Sequence, residues 1–413
     1  MTKITINIAY LSCWLLLAFV TFNWIGIYTI WPLPELKYVS FIIPFILFTI
    51  LLYLNSKKLI IDTAAKVWIP WLIFIIVYTG INFNWERFAY HYICMMLIIL
   101  SSQINITKLF PTNLALFIGV FAISGVIVQF LFPTFHSAVI LPLFPKGSFD
   151  GYGLMGFTYQ LDVSANYILL FEMIWLYIFK DKVPPFIYWT TLIVAILTIF
   201  LTGKRMHSLL SIIIPIIVYF LAMPHRNHKL WLIFFIGSIG VLGVSLFINN
   251  AAHFEESPFL HRFSTSVEKV RYNEDITSRR SVLTANAIKL WIEKPILGIG
   301  DSNFRSHNEA ETDVHNAYIQ TLCEQGVIGF LLWFIPIIYC FILTCRIFKN
   351  VFLDSNLKKW LMVSLFYQVQ FILYGLTGNP TINEDRYVLY FFAIAILSEI
   401  HTILIQRASK TNI

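Results

Sequence analysis

Charge is what this sequence has least of: Asp, Glu, Lys and Arg together make up 12% of its 413 residues, against 58% hydrophobic ones. With a mean hydropathy of +0.74, that ratio excludes an ordinary soluble core, because so few charged side chains could not clothe a globule of this length. Cysteine is scarce too. Of five cysteines, Cys13, Cys94, Cys340 and Cys345 fall inside apolar runs, and the set shows neither metal-ligand spacing nor a disulfide framework. The formal net charge of +7 is not gathered with interleaved aromatics on one continuous surface, which argues against nucleic-acid binding. No small-residue cleavage site follows the first apolar run, so that run is expected to be a membrane span and not a removable leader.

Apolar runs of about 17–25 residues, the length that crosses roughly 30 Å of hydrocarbon as helix, recur from end to end. About twelve are expected, centred near Leu16, Phe45, Ile73, Met95, Phe117, Phe171, Leu192, Ile213, Ile236, Phe334, Phe366 and Phe392. The expected fold is therefore all-α, a polytopic integral membrane protein of one integrated membrane domain. Residues 1–248 would hold about nine spans, 249–316 a large extracytoplasmic loop with short helices, and 317–413 about three spans. Lys and Arg accumulate on cytoplasmic loops. With both termini inside, roughly half of the basic residues fall on inward segments, where Asp62, Asp181 and Asp354 are the clear acidic partners. The basic balance thus reports topology.

Three places break the alternation of span and short loop. The first is the stretch from Asn249 to Asn316, with eight basic and ten acidic residues up to His315. Within it, "SRRSVLTANAIKLWIEK" (278–294) predicts a helix stopped by Pro295, with Arg280, Leu283, Ala287 and Trp291 on one face and Arg279 turned away by about 100°. A buried Arg280 guanidinium requires an anionic partner, which a structural ion pair with a loop carboxylate would equally supply. The second is "LTGKRMHSLL" (201–210), a minimal turn that puts Lys204 and Arg205 on the outer side, against the charge rule: an ordinary exception, or a cationic site kept for a purpose. The third is "KGSFDGYGLMGFTYQLDVSAN" (146–166), either a loop dipping over a cavity or a plain connection in which Asp162 caps the next helix.

At the end of the long stretch, "DVHNAYIQTLCEQGVIGF" (313–330) leads into an apolar run. Asp313 is a suitable N-cap, which would put His315 in the first helical turn beside a cluster of backbone amides whose field favours a neutral imidazole. Glu324 follows one helical stretch on, and Gly326 and Gly329 punctuate the entry to the span. An interfacial histidine without a task is the plainer alternative. The expected topology sets Arg205, Arg280 and His315 on the same side of the membrane. Two guanidinium forks and an imidazole suit transfer from a diphosphate-linked substrate: the arginines match phosphate oxygens and developing charge, and the histidine orients or deprotonates an attacking hydroxyl. No metal or other cofactor is required. The set His307, Glu309, Glu311, Asp313 and His315 matches no dedicated metal site.

The run "SRRSVLTANAIKLWIEKPILGIGDSNF" followed by "HNAYIQTLCEQGVIGFLLW" resembles the C-terminal signature of the O-antigen ligase and Wzy-type polymerase superfamily. Its elements stand here as Arg280, Pro295, Gly298, Gly300, His315, Asn316, Glu324, Gly326 and Gly329. "TGKR" resembles the family's short extracytoplasmic turn, with Lys204 where Ser is more usual, and "GFTYQLDVSAN" resembles a loop ahead of a middle span. Residues 1–140 match only in hydropathy. The resemblance implies a metal-independent glycosyltransferase in the bacterial cytoplasmic (inner) membrane, its site facing outward. Its partners would be an undecaprenyl-diphosphate-linked oligosaccharide donor, a glycan acceptor and the bilayer, with flippase and chain-length regulator proteins alongside. By resemblance Arg205, Arg280 and His315 are catalytic, Arg279, Lys204, Asn316, Asp162 and Glu324 bind substrate, and Glu172 is a further carboxylate that would help an acceptor or pair with another polar side chain.

Polymerase and ligase share the donor and differ in acceptor. Composition rich in Ile, Phe, Lys and Asn leans to the polymerase, since it hints at an organism without a lipid A core. A lipid-linked oligosaccharide flippase or other transporter is a separate class, but it would show internal repeats and charges at the membrane midplane, which this sequence does not. A scaffold for a polysaccharide assembly would need no Arg-Arg-His set.

Overall fold

In hydrocarbon only helices and closed barrels satisfy every backbone hydrogen bond internally, and the apolar runs of this chain are of helical length. The computed structural model describes residues 3–22, 35–55, 59–81, 85–143, 153–158, 160–222, 280–381 and 384–411, and the regular structure within them is helical. In chain order the helices are α1 (Lys3–Phe22), α2 (Glu35–Asn55), α3 (Thr63–Lys66), α4 (Ile69–Ile81), α5 (Trp85–Ile104), α6 (Ile106–Leu109), α7 (Thr112–Leu131), α8 (Leu161–Ile174), α9 (Pro185–Leu201), α10 (Arg205–Ala222), α11 (Arg280–Glu293), α12 (Ala317–Ile347), α13 (Ser355–Gly375) and α14 (Glu384–Thr411). Every expected span centre lies inside one of these helices except Ile236, which is outside the described residues.

By length and composition, six helical segments among the described residues can cross a membrane: Thr63–Ile81, Thr112–Leu131, Leu161–Phe179, Arg205–Ala222, Ala317–Ile347 and Arg386–Lys410. Thr5–Ala18, Ile42–Asn55 and Pro185–Leu201 are shorter apolar helices. Of the long polar stretch, residues 280–316 are described, as α11 and an irregular run after it.

The described residues fall into two compact units. In the first, made of α1–α6 and α11–α14, α14 is the central helix. Its residues from Tyr387 to Ile400 are buried on every side, the pattern of a helix apolar all round. Its polar members are spent on neighbours. Ser398 accepts from Ser101 at 2.8 Å, and Glu399 takes the backbone N–H and the hydroxyl of Thr107, both at 2.8 Å, at the start of α6. His401 meets Asp62 at 2.8 Å, and Asp62 in turn caps α3 through the Ala64 N–H. Trp68 sits edge-on to Trp71, Tyr390 and Phe391, which ties α4 to α14.

In the second unit, which holds most of α7, the helices α8, α9 and α10 pack on one another. Gly119 lets α7 meet α8 closely: a Cβ there would stand 2.1 Å from the Cβ of Phe171. Residues 153–158 are laid against α7 by hydrogen bonds. Gly156 N donates to Gln129 at 2.8 Å, and Gly156 O faces the His136 ring at 2.7 Å. Glu172 in α8 is fully buried with both oxygens unbonded among the described residues, so the polar partner expected for it is not found there.

Candidate functional site

The site region is built around a break in α12. Gly326 has φ +64° and ψ −172° inside the helix, so the chain forms one short helix up to Gln325 and a longer one from Val327. A break exposes carbonyls on one side and amides on the other. The Pro295–Gly300 segment fills both. Ile299 N and Gly300 N donate to Cys323 O at 3.1 Å and Glu324 O at 2.9 Å, while Val327 N and Ile328 N reach Pro295 O at 2.9 Å and Ile296 O at 3.3 Å. The approach is too close for side chains. A Cβ on Gly298, whose φ is +74°, would lie 2.4 Å from the Glu324 carbonyl, and one on Gly326 would lie 2.2 Å from Ile296 O. The two glycine-bearing motifs are therefore halves of one interlock. Tyr78 OH seals it with a 2.8 Å bond to Leu297 O.

Below this lock the acidic side chains are committed. Glu324 is buried and accepts from Phe304 N and Gln320 Nε2, each at 3.1 Å. Gln320 Nε2 also reaches Asp313 Oδ1 at 3.1 Å, and Asp313 Oδ2 accepts from Arg305 Nε at 3.0 Å and from Arg305 Nη2. The bond to Asp313 raises the Arg305 pKa, against the pull of its partial burial. Asp301 Oδ1 accepts from Gln325 Nε2 at 3.3 Å, and Gln325 Oε1 accepts from Trp71 at 3.1 Å. Asp301 Oδ2 is enclosed without a hydrogen-bond partner among the described residues. Burial pushes the Asp301 carboxyl above the usual carboxylate range, opposed by the charge on Arg87 and the bond from Gln325.

The entry to α12 differs from the expected one. Asp313 does not cap it, because its carboxylate is engaged by Arg305 and Gln320; the cap is Asn316, whose Oδ1 accepts from Tyr318 N and Ile319 N at 3.1 Å each. His315 accordingly precedes the helix, exposed, in left-handed backbone at φ +58°. No amide cluster is left beside it, since Ala317 N is also bonded, to Gly378 O at 3.1 Å. Histidine is one of the side chains that tolerate this conformation best, and such strained positions gather at functional sites.

On α11 the expected phase holds for Leu283 and Ala287, which are buried with Phe304, Val314 and Cys323, and Trp291 packs against the same cluster. Arg280 departs from it. It is exposed at the start of the helix, and its guanidinium finds a backbone carbonyl instead of a carboxylate: Nη1 donates to Thr377 O at 3.1 Å. The turn after α13 thus touches both motif residues, for Leu376 O also accepts from Asn316 Nδ2 at 3.3 Å. Arg280 and Asn316, the residue after His315, come together on this turn. Arg279 lies outside the described residues.

Lys204, Arg205 and Asp162 belong to the second unit. Gly203 turns the chain at φ +67°, Ser208 N donates back to Lys204 O at 3.0 Å, and Arg205 opens α10 half-buried. Residues 153 and 154 brace this turn: Leu154 N bonds Leu201 O at 3.1 Å, and a Cβ on Gly153 would stand 2.1 Å from Thr202 O. The glycine-rich loop and the TGKR turn, two separate irregularities in sequence, are neighbours. Asp162 sits in the first turn of α8 but is not its cap, which falls to Gln160.

Residues 190–334 match a family model described as O-antigen ligase. That stretch is similar to the O-antigen ligase and Wzy-type superfamily. A comparison with curated proteins finds no match. The matched stretch begins in α9 and ends in α12, so it takes in Arg205, Arg280 and both glycine-bearing halves of the interlock. Sequence reasoning missed Gln320, Asp301 and the turn at 376–381. The composition "LTGNPT" between two apolar runs marks a turn, and that was the one available signal.

Proposed function

We propose that this protein is a polysaccharide repeat-unit polymerase. It transfers a glycan from undecaprenyl diphosphate to the hydroxyl of another lipid-linked repeat, on the outer face of the bacterial cytoplasmic membrane, for a surface polysaccharide such as capsule, exopolysaccharide or O-antigen. The observation that carries the reading is that Arg280 and Asn316, the residue next to His315, both inside the stretch that matches the family model, bond to one turn.

In the proposed step, the acceptor hydroxyl attacks the anomeric carbon and the bond from that carbon to the diphosphate oxygen breaks. The hydroxyl proton passes to His315, exposed and able to approach a substrate. The departing diphosphate takes the electron pair, and Arg280 stabilises its charge with the donors left over from its bond to Thr377. By the family resemblance, Arg205 is proposed to act in the transfer, and Lys204, Arg279 and Asp162 to bind substrate. Asn316 and Glu324 shape the site through their bonds to the α12 entry and to Phe304. A single displacement of this kind inverts the anomeric centre.

The family description itself favours a second reading, a ligase that takes the same donor to a different acceptor. Glycan length on the lipid carrier separates them in a deletion strain complemented with wild type, Arg280→Ala or His315→Ala at equal membrane abundance. A polymerase gives single repeats on undecaprenyl diphosphate, exposed outside, in cells with either variant. Long lipid-linked chains that fail to reach their acceptor mean a ligase, and repeats trapped inside mean a transporter.

A further inference from the structure

The turn between α13 and α14 offers three consecutive carbonyls, and each is used by the proposed transfer site: Leu376 O by Asn316, Thr377 O by Arg280 and Gly378 O by Ala317 N. Backbone carbonyls alone do not fix the register of a turn, since a slip by one peptide presents another like them. One side-chain bond does. Asn379 is buried and donates from Nδ2 to Gln320 Oε1 at 2.7 Å. The same Gln320 oxygen accepts from Val314 N at 3.1 Å, the amide one residue before His315. Gln320 cannot rotate to follow a displaced turn without losing Asp313 and Glu324, which hold its Nε2.

We propose that Asn379, acting through Gln320, is a positioning residue of the transfer site: it sets the turn that holds Arg280 against the strained backbone that presents His315. The proposal rests on the transfer function above. A buried amide kept only for packing is expected to satisfy both of its ends. Asn379 Oδ1 has no hydrogen-bond partner among the described residues, so the side chain is retained with one end unsatisfied and the other on Gln320. A further clamp lies just beyond, where Arg87 Nη1 donates to Thr381 O at 2.9 Å.

The test is a double-mutant cycle in proteoliposomes, using the lipid-linked repeat unit purified from cells that lack this protein. Wild type, Asn379→Asp, His315→Ala and the double variant are compared for transfer rate, donor KM and melting temperature. Asn379→Asp keeps the size of the side chain and removes the donor. Positioning predicts a fall in kcat of roughly ten- to a hundredfold, the scale of a misplacement near 1 Å, and no further fall when the change is added to His315→Ala. The same loss factor in both backgrounds, or unchanged kcat, overturns the positioning role. If Asn379→Asp does not fold, Asn379→Ser carries the same cycle. Full activity in His315→Ala alone contradicts the transfer reading itself, and the positioning role with it.

Discussion

At the scale of single residues, the glycines at 298 and 326 are required for a reason that sequence shows only as spacing. Each has a left-handed backbone, and each has a carbonyl where a side chain would begin. Gly326→Ala is expected to cost more than the about 1–3 kcal/mol of left-handed strain alone, because the Ile296 carbonyl must also move. A thermal melt in detergent checks it, and an unchanged midpoint would count against the interlock. Asp301 gives a prediction of a different kind. Its raised pKa means that the folded protein holds more protons than the unfolded chain at pH values between the ordinary Asp pKa of about 4 and the raised value. That group therefore subtracts stability as pH rises through this window. Asp301→Asn should remove that contribution, so melting temperature against pH should fall more steeply in wild type than in the variant; parallel curves would refute the assignment. The motif residues were legible because Arg, His, Asn, Glu and Gly stand at a recognisable spacing. Gln320 and Asn379 were not, since an amide's value lies in which partner it meets 59 positions away.

At the scale of elements, helix existence was legible from the length of the apolar runs, and helix ends were not. Asp313 and Asn316 are both good N-cap types three residues apart, and local sequence does not choose between them. Tertiary contacts do: Arg305 and Gln320 draw the Asp313 carboxylate away and leave the cap to Asn316. Asn316→Ala is expected to lose about 1 kcal/mol of stability from the cap alone, plus the bond to Leu376. Asn316→Asp should keep the cap and lose only that bond. Melting temperatures of the two variants check this, with Asn316→Ala the lower. The break in α12 was visible in outline as glycines near the start of a span. That Pro295–Gly300 fills it was hidden, because the hydrogen bonds run between residues 24 and 32 positions apart.

At the scale of the whole molecule, composition fixed the class before any motif was considered. A chain with 12% charged residues has to hide most of its length from water. It does so in two helical units, one centred on α14 and the other on α8. One group of buried polar side chains, Asn308, Asp313, Gln320, Thr321, Glu324 and Gln325, gathers near the α12 entry, beside the proposed transfer site. Arg280→Lys keeps the charge and loses the planar fork, so transfer by this variant should fall well below wild type while the protein still folds. Wild-type rates would show that charge alone suffices there. The central claim is that Arg280 and His315 serve glycan transfer from a polyprenyl diphosphate. Its most direct test is a transfer assay with purified protein in proteoliposomes, reading glycan length on the lipid carrier for wild type, Arg280→Ala and His315→Ala. The account predicts lengthened glycan with wild type and a loss of roughly a hundredfold or more in each variant at an unchanged melting temperature. Equal lengthening by all three proteins would contradict it.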